Sequence, residues 1–373
     1  MEKTVKAVIL CIVTSAFLIS MGIWLLIKAP EQYSYSERRT LAQDKSFELS
    51  AFFNGSFAGK FENYSLDQFP IRDNFRSVKA LTERYVLGKK DSNGIYIADG
   101  HLSKIEYPVE AVQVERSCEK FRYLYEKYLE PAGITPSFVL IPDKNYYLAS
   151  KSDVLSMDYE YLYQKVEKET SYMKFIDLRE RLTLLDYYQT DTHWRQECIV
   201  DVADDIRKEM EITGQEKTQR ITAANYEMVT LNTPFYGVYV GQSALPVRPD
   251  AMCYLENEQL RACTVMCYDT GKPVEKPMYD MTKATGRDPY ELFLNGAAAV
   301  ITIDNPGASS DKELVMFRDS FGSSLAPLLV SDYRKVTLLD TRYIQPDLIQ
   351  QFVTFDHQDV LFLYSTLYVN HGL

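Results

Sequence analysis

The sequence predicts an α/β fold with a largely parallel sheet, behind an N-terminal helix long enough to cross a membrane. Three observations carry this. An uncharged apolar run spans Ala7 to Ile27. Short apolar strands alternate with helical stretches through most of the remaining chain, the order that builds a parallel sheet. Turn signals punctuate both, with Asn93-Gly94 and Asp99-Gly100 flanking the short strand Ile95-Tyr96-Ile97.

Lys3 and Lys6 precede the apolar run and Lys28 follows it. The run has the length of a bilayer-spanning helix. Lysines in so short a leading tail put residues 1–6 in the cytoplasm by the positive-inside bias, and the rest of the chain outside. A cleaved signal peptide would have a shorter core and a small-x-small site. The run ends instead in Trp24-Leu25-Leu26-Ile27, which favours an uncleaved anchor over residues 7–28. Residues 29–87 read as a polar stalk leading into short helices, and 88–373 as the α/β domain.

Within that domain Val114, Cys118, Phe121, Tyr125 and Tyr128 make one helical stripe, closed by Pro131 and Gly133. Ser137–Ile141 reads as a buried strand, 158–173 as a helix and Phe175–Leu178 as a strand. Ile199, Val202, Ala203, Ile206 and Met210 follow helical spacing, with Gly214 as the stop. From about 215 to 295 the pattern weakens into Thr-, Tyr-, Pro- and Gly-rich text, read as a β-rich insertion. Alternation then resumes. Strands are expected at Val300–Ile303, Glu313–Phe317, Val336–Leu339 and Val360–Tyr364, and helices at Ser320–Val330 and 346–353.

Composition excludes some functions. The formal net charge of -11 argues against nucleic acid, which wants a basic stripe. Twenty-eight tyrosines suit a carbohydrate surface and equally a strand-rich core. Cys253, Cys263 and Cys267 form a loose cluster with no fourth ligand near, so no metal is expected. No Gly-rich phosphate loop is present, and no cofactor is expected.

Two short motifs carry chemistry. In Asp191-Thr192-His193-Trp194 a carboxylate two residues before a histidine can turn back onto one ring nitrogen. That fixes the tautomer and frees the other nitrogen as a general base. The structural alternative is a helix N-cap beside a surface histidine. In Phe317-Arg318-Asp319-Ser320-Phe321-Gly322 an apolar strand meets a helix through a tight turn. Ser320 would then stand at the carboxyl edge of the sheet, where open α/β folds bind ligands. Its own N–H and those of its neighbours would face a developing oxyanion. Here too N-capping is the plainer alternative. Together the motifs imply a Ser-His-Asp arrangement in the chain order Asp191, His193, Ser320.

Asp191-Thr192-His193-Trp194 resembles the defining motif of the DHHW family, with Thr where that family often has His. The family is similar to the SGNH-like domains of the alginate O-acetyltransferases. Asn93-Gly94-Ile95-Tyr96 with Asp99-Gly100-His101-Leu102, Ile141-Pro142-Asp143-Lys144, Arg318-Asp319-Ser320-Phe321 with Leu325-Ala326-Pro327-Leu328, and Asp340-Thr341-Arg342-Tyr343 resemble further blocks of it. The resemblance implies an SGNH-hydrolase-like three-layer fold. It implies Ser320 as nucleophile, His193 as base and Asp191 as orienting acid. It further implies Arg318, Phe321, Tyr236, Gly237 and Tyr239 as residues near the substrate or oxyanion. Arg318 departs from the pattern, since an SGNH serine usually follows Gly-Asp.

The implied activity is acyl transfer at the cell surface. A sugar hydroxyl as acceptor gives a polysaccharide O-acetyltransferase, and water gives an acetylesterase. A non-catalytic glycan-binding or assembly protein on the same fold is the alternative. The resemblance also implies a membrane partner that exports the acyl group.

Overall fold

The computed structural model describes residues 2–43, 49–210, 220–269, 272–286, 288–308 and 310–372. Gly214, expected as a helix stop, and residues 215–219 of the expected insertion lie outside these. The chain divides into two compact units, Met1–Asn93 with Val240–Val247, and Gly94–Tyr239 with Arg248–Leu373.

The first unit begins with α1 (Glu2–Ile27). Over Lys3–Ile27 this helix is long and apolar enough to cross a membrane. Tyr33–Ser34 pairs antiparallel with Arg39–Thr40. The helices α2 (Ser56–Asp67) and α3 (Arg72–Leu81) follow. Charge organises this segment. Glu37 meets Arg39, Arg72 and Arg76, and Asp67 accepts from the Arg39 guanidinium at 2.9 and 2.5 Å and from the Ala42 N–H at 2.9 Å.

In the second unit β1 (Ile95–Ala98) and β2 (His101–Lys104) form a hairpin turned by Asp99-Gly100. The central sheet is built from β3 (Ser137–Ile141), β4 (Lys174–Asp177), β7 (Thr264–Cys267), β8 (Val274–Lys276), β9 (Val300–Asp304), β10 (Glu313–Arg318), β11 (Lys335–Leu339) and β12 (Asp359–Ser365). A separate antiparallel pair, β5 (Glu227–Thr230) with β6 (Cys253–Glu256), precedes β7. Across the central sheet the order is β8-β7-β9-β11-β10-β12-β3-β4. The run from β11 to β4 is parallel, and β8, β7 and β9 extend it antiparallel.

The burial explains the strands' composition. All five residues of β3 are buried, as are the last five of β10 and the last six of β12. Strands covered on both faces read as continuous apolar runs. Alternate residues feed two cores. Val139, Met316 and Leu361 enter one with Ile199, Ala203 and Leu325, while Phe138, Phe317 and Phe362 enter the other with Val114, Phe121 and Leu162. Helices on both faces of one sheet make three layers. α4 (Ala111–Leu124), continued by a π-helical turn over Tyr125–Leu129, α6 (Tyr159–Glu169) and α7 (Val200–Glu209) lie where helices are expected, and between the first two lies α5 (Lys144–Ser152), capped by Asp143.

Two expectations are refined. Part of the 215–295 stretch belongs to the main sheet, as its edge strand β8 and the neighbouring β7. The 346–353 helix is a 3-10 segment, Pro346–Gln351, with proline at its start.

Candidate active site

The parallel strands bring the two motifs to one edge. Ser320 lies two residues beyond the end of β10, and α8 (Gly322–Leu329) starts two residues after it. Asp319 shapes this turn. Its carboxylate accepts from the Phe321 N–H at 3.0 Å and from the Ser365 N–H at the end of β12 at 2.8 Å. Asp319 is 1% exposed, and burial raises its pKa above the ordinary aspartate value.

The Asp191–His193 motif lies in the loop between β4 and α7. His193 Nδ1 is 2.6 Å from Asp191 Oδ1, and Nε2 is 2.7 Å from Ser320 Oγ. The structure therefore brings the three residues into one continuous hydrogen-bond chain. Asp191 is wholly buried and His193 is 7% exposed, whereas Ser320 is part-exposed. A base held by a buried acid, beside a reachable hydroxyl, is a geometry for proton abstraction.

The turn carrying Asp191 is braced from several sides. Asp191 also accepts from the His193 N–H at 3.1 Å and the Val238 N–H at 2.8 Å. Asp250 accepts from the N–H groups of Gln189 and Thr190, both at 2.8 Å, and from the Thr190 hydroxyl. The Gly237 N–H donates to Thr190 Oγ1 at 2.9 Å and the Tyr239 N–H to Thr190 O at 3.2 Å. Gly237 is required for closeness: a Cβ there would lie 2.4 Å from Asp191 N.

Trp194 anchors the histidine to α8. Its indole donates to Ser324 Oγ at 2.8 Å and Phe321 O at 3.2 Å. Ser324 Oγ lies 2.7 Å from the Tyr290 hydroxyl, and the Tyr290 ring stacks on His193. Phe321 packs 5.0 Å from the imidazole and edge-on to Trp194.

The other expected residues are placed as follows. Arg318 is 1% exposed and donates to Ser323 Oγ at 2.9 Å, with weaker contacts to Asp319 O and Gly296 O. Burial lowers its pKa. Its guanidinium thus serves the wall beneath the Ser320 turn. Tyr236 is 51% exposed, while Tyr239 is buried under Lys144. The expectation that several N–H groups around Ser320 face an oxyanion narrows. Those of Phe321, Gly322 and Ser323 are taken by Asp319 and Ser320 itself. The Ser320 N–H makes no hydrogen bond among the described residues.

Sequence reasoning missed Tyr290, Asp250 and the bracing role of Thr190. Tyr290 and Asp250 lie in the stretch without clear periodicity, and no local spacing ties them to His193 or Asp191.

No family model matches the sequence, and no curated protein matches it. Solved structures do. A DHHW family protein from Eubacterium siraeum aligns with TM-score 0.59 at 17% identity, over 75% of this chain and 93% of its own. The chain has the DHHW-type fold, an SGNH-like one. Bacillus cereus PatB1 shares it, with TM-score 0.59 and 19% identity over 74% of this chain and 97% of that one. The O-acetyltransferase domain of Pseudomonas putida AlgJ aligns more loosely, with TM-score 0.43 and 12% identity over 74% and 92%. At the level of the DHHW-type fold, the resemblance read from the motifs holds.

Proposed function

We propose that the chain is an extracytoplasmic acyl-ester enzyme, an O-acetyltransferase that modifies a cell-surface polysaccharide through Ser320, His193 and Asp191. The observation that carries this reading is the unbroken chain Asp191 Oδ1, His193 Nδ1, His193 Nε2, Ser320 Oγ, with links of 2.6 and 2.7 Å. The DHHW-type fold and the apolar N-terminal helix support it. In this reading the helix anchors the chain with its N-terminus inside, and a membrane partner delivers the acyl group.

In the first half-reaction His193 Nε2 takes the Ser320 proton as Oγ attacks the ester carbonyl. Asp191 keeps Nδ1 protonated and stabilises the imidazolium. The free Ser320 N–H faces the developing oxyanion. Collapse breaks the ester C–O bond, and the leaving alkoxide takes the proton from Nε2. In the second half a sugar hydroxyl gives its proton to Nε2 and attacks the acyl-serine carbonyl; the acyl–Oγ bond then breaks and Oγ takes the proton from Nε2, which restores the Ser320 hydroxyl. Tyr236, exposed beside the Gly237 turn, offers an aromatic face to the incoming sugar.

The test uses the full chain in detergent with a chromogenic acetyl ester, with and without oligosaccharide acceptor. Wild type should release the chromophore, Ser320→Ala should not, and acetyl should move to the acceptor in preference to water. Equal release by both proteins contradicts the assignment. Release with no acetylated sugar turns the reading toward an esterase.

A further inference from the structure

Lys144 is 2% exposed and takes no part in the chain from Asp191 to Ser320. It opens α5, directly after the Asp143 cap. Its Nζ donates to Tyr188 O at 2.9 Å and to Gln189 O at 3.2 Å. It lies over the Tyr239 ring, 5.0 Å from the centroid. Burying an ammonium is costly, and a role in packing alone is met as well by methionine.

The acceptors explain its position. Tyr188 and Gln189 lead directly into Thr190-Asp191. Asp250 holds the N–H groups of Gln189 and Thr190, and Lys144 holds the carbonyls just before them. The turn is therefore gripped on its donor side by an acid and on its acceptor side by a base. Asp143 on its own element, and Asp191 and Asp250 on the turn and its neighbouring loop, all favour the charged lysine, while burial opposes it more strongly and brings its pKa down to about 7. His101 on β2 also feels this lysine, although burial is the larger cause of its lowered pKa.

We propose that Lys144 is a positioning residue for the Asp191–His193 pair, fixing the carbonyl edge of the turn that carries them. This rests on the triad reading above. As an ammonium, Lys144 donates to both carbonyls at once, which an uncharged methionine does not.

The experiment compares the full chain in detergent as wild type, Ser320→Ala and Lys144→Met, with a chromogenic acetyl ester across pH 5 to 8. Lys144→Met should lower kcat by about 10²-fold, the cost typical of a misplaced catalytic group, with KM within about threefold. If Ser320→Ala is inactive while Lys144→Met keeps kcat within about twofold of wild type, the inference is overturned and the triad stands. A fall in kcat accompanied by a rise in KM beyond about threefold also overturns it, since general loss of structure gives that result. An active Ser320→Ala removes the triad reading, and this inference with it. Should Lys144→Met fail to fold, Lys144→Gln, which keeps an amide donor but no charge, is read by the same criteria.

Discussion

His193 and Tyr290 lie face to face, with ring centroids 3.8 Å apart and planes 8° from parallel. The Tyr290 hydroxyl is tied to Ser324 Oγ, which also receives the Trp194 indole. One serine on α8 thus fixes both the ring that stacks on the histidine and the residue that follows it. Removing the ring should free the imidazole. Tyr290→Leu is expected to lower kcat on a chromogenic ester by about tenfold to 10²-fold through lost alignment. Tyr290→Phe, which keeps the stack, should stay within about threefold.

Asp191 has two duties, one to the imidazole and one to the backbone. Asp191→Asn retains the shape but puts an amide where Nδ1–H must donate. The expected loss in kcat is about 10⁴-fold, as for a base held in the wrong tautomer. Thermal unfolding should show the fold intact.

Gly237 tests the closeness of the brace. A methyl there meets Asp191 N and the Thr190 carbonyl at 2.4 Å, and both are backbone. Gly237→Ala should destabilise the chain by about 1–3 kcal/mol, the usual cost of overpacking. Urea unfolding measures this, and ester turnover should fall alongside.

Asp67 gives a pH dependence to residues 29–93. Hydrogen bonding to Arg39 is the largest cause that lowers its pKa below the ordinary 3.8, aided by the Ala42 N–H. A depressed acid stabilises the fold above the unfolded value and loses that contribution as pH falls through the folded one. Hydrogen exchange at Ala42 and in α2 should therefore accelerate below pH 3.8. Asp67→Asn should show the fast exchange at neutral pH.

Much of the architecture was legible because parallel strands buried on both faces leave uninterrupted apolar text, as in Ser137–Ile141 and Val360–Tyr364. The edge strand β8 and its neighbour β7 were not. Their exposed positions, such as Thr264 and Val274–Lys276, break the pattern. Helix α5 escaped because its start, Lys144-Asn145, is polar yet buried. At the site, Asp191 and His193 were legible from a two-residue spacing that local geometry enforces. Ser320 was legible as a strand-to-helix turn, but only the register of β10 in the sheet brings it to the imidazole. Tyr290, Asp250 and the grip of Lys144 reach the site from remote segments through tertiary contact alone. No periodicity or short motif encodes such contacts.

The central claim is that Ser320 Oγ carries the acyl group. The full chain is mixed with an activated acetyl ester, quenched in acid during turnover, digested and mapped by mass spectrometry. Acetyl on Ser320 in wild type, with accumulation in His193→Ala too slow to detect, is the predicted result. Turnover with no acetyl on Ser320, or with acetyl on another residue, contradicts the account.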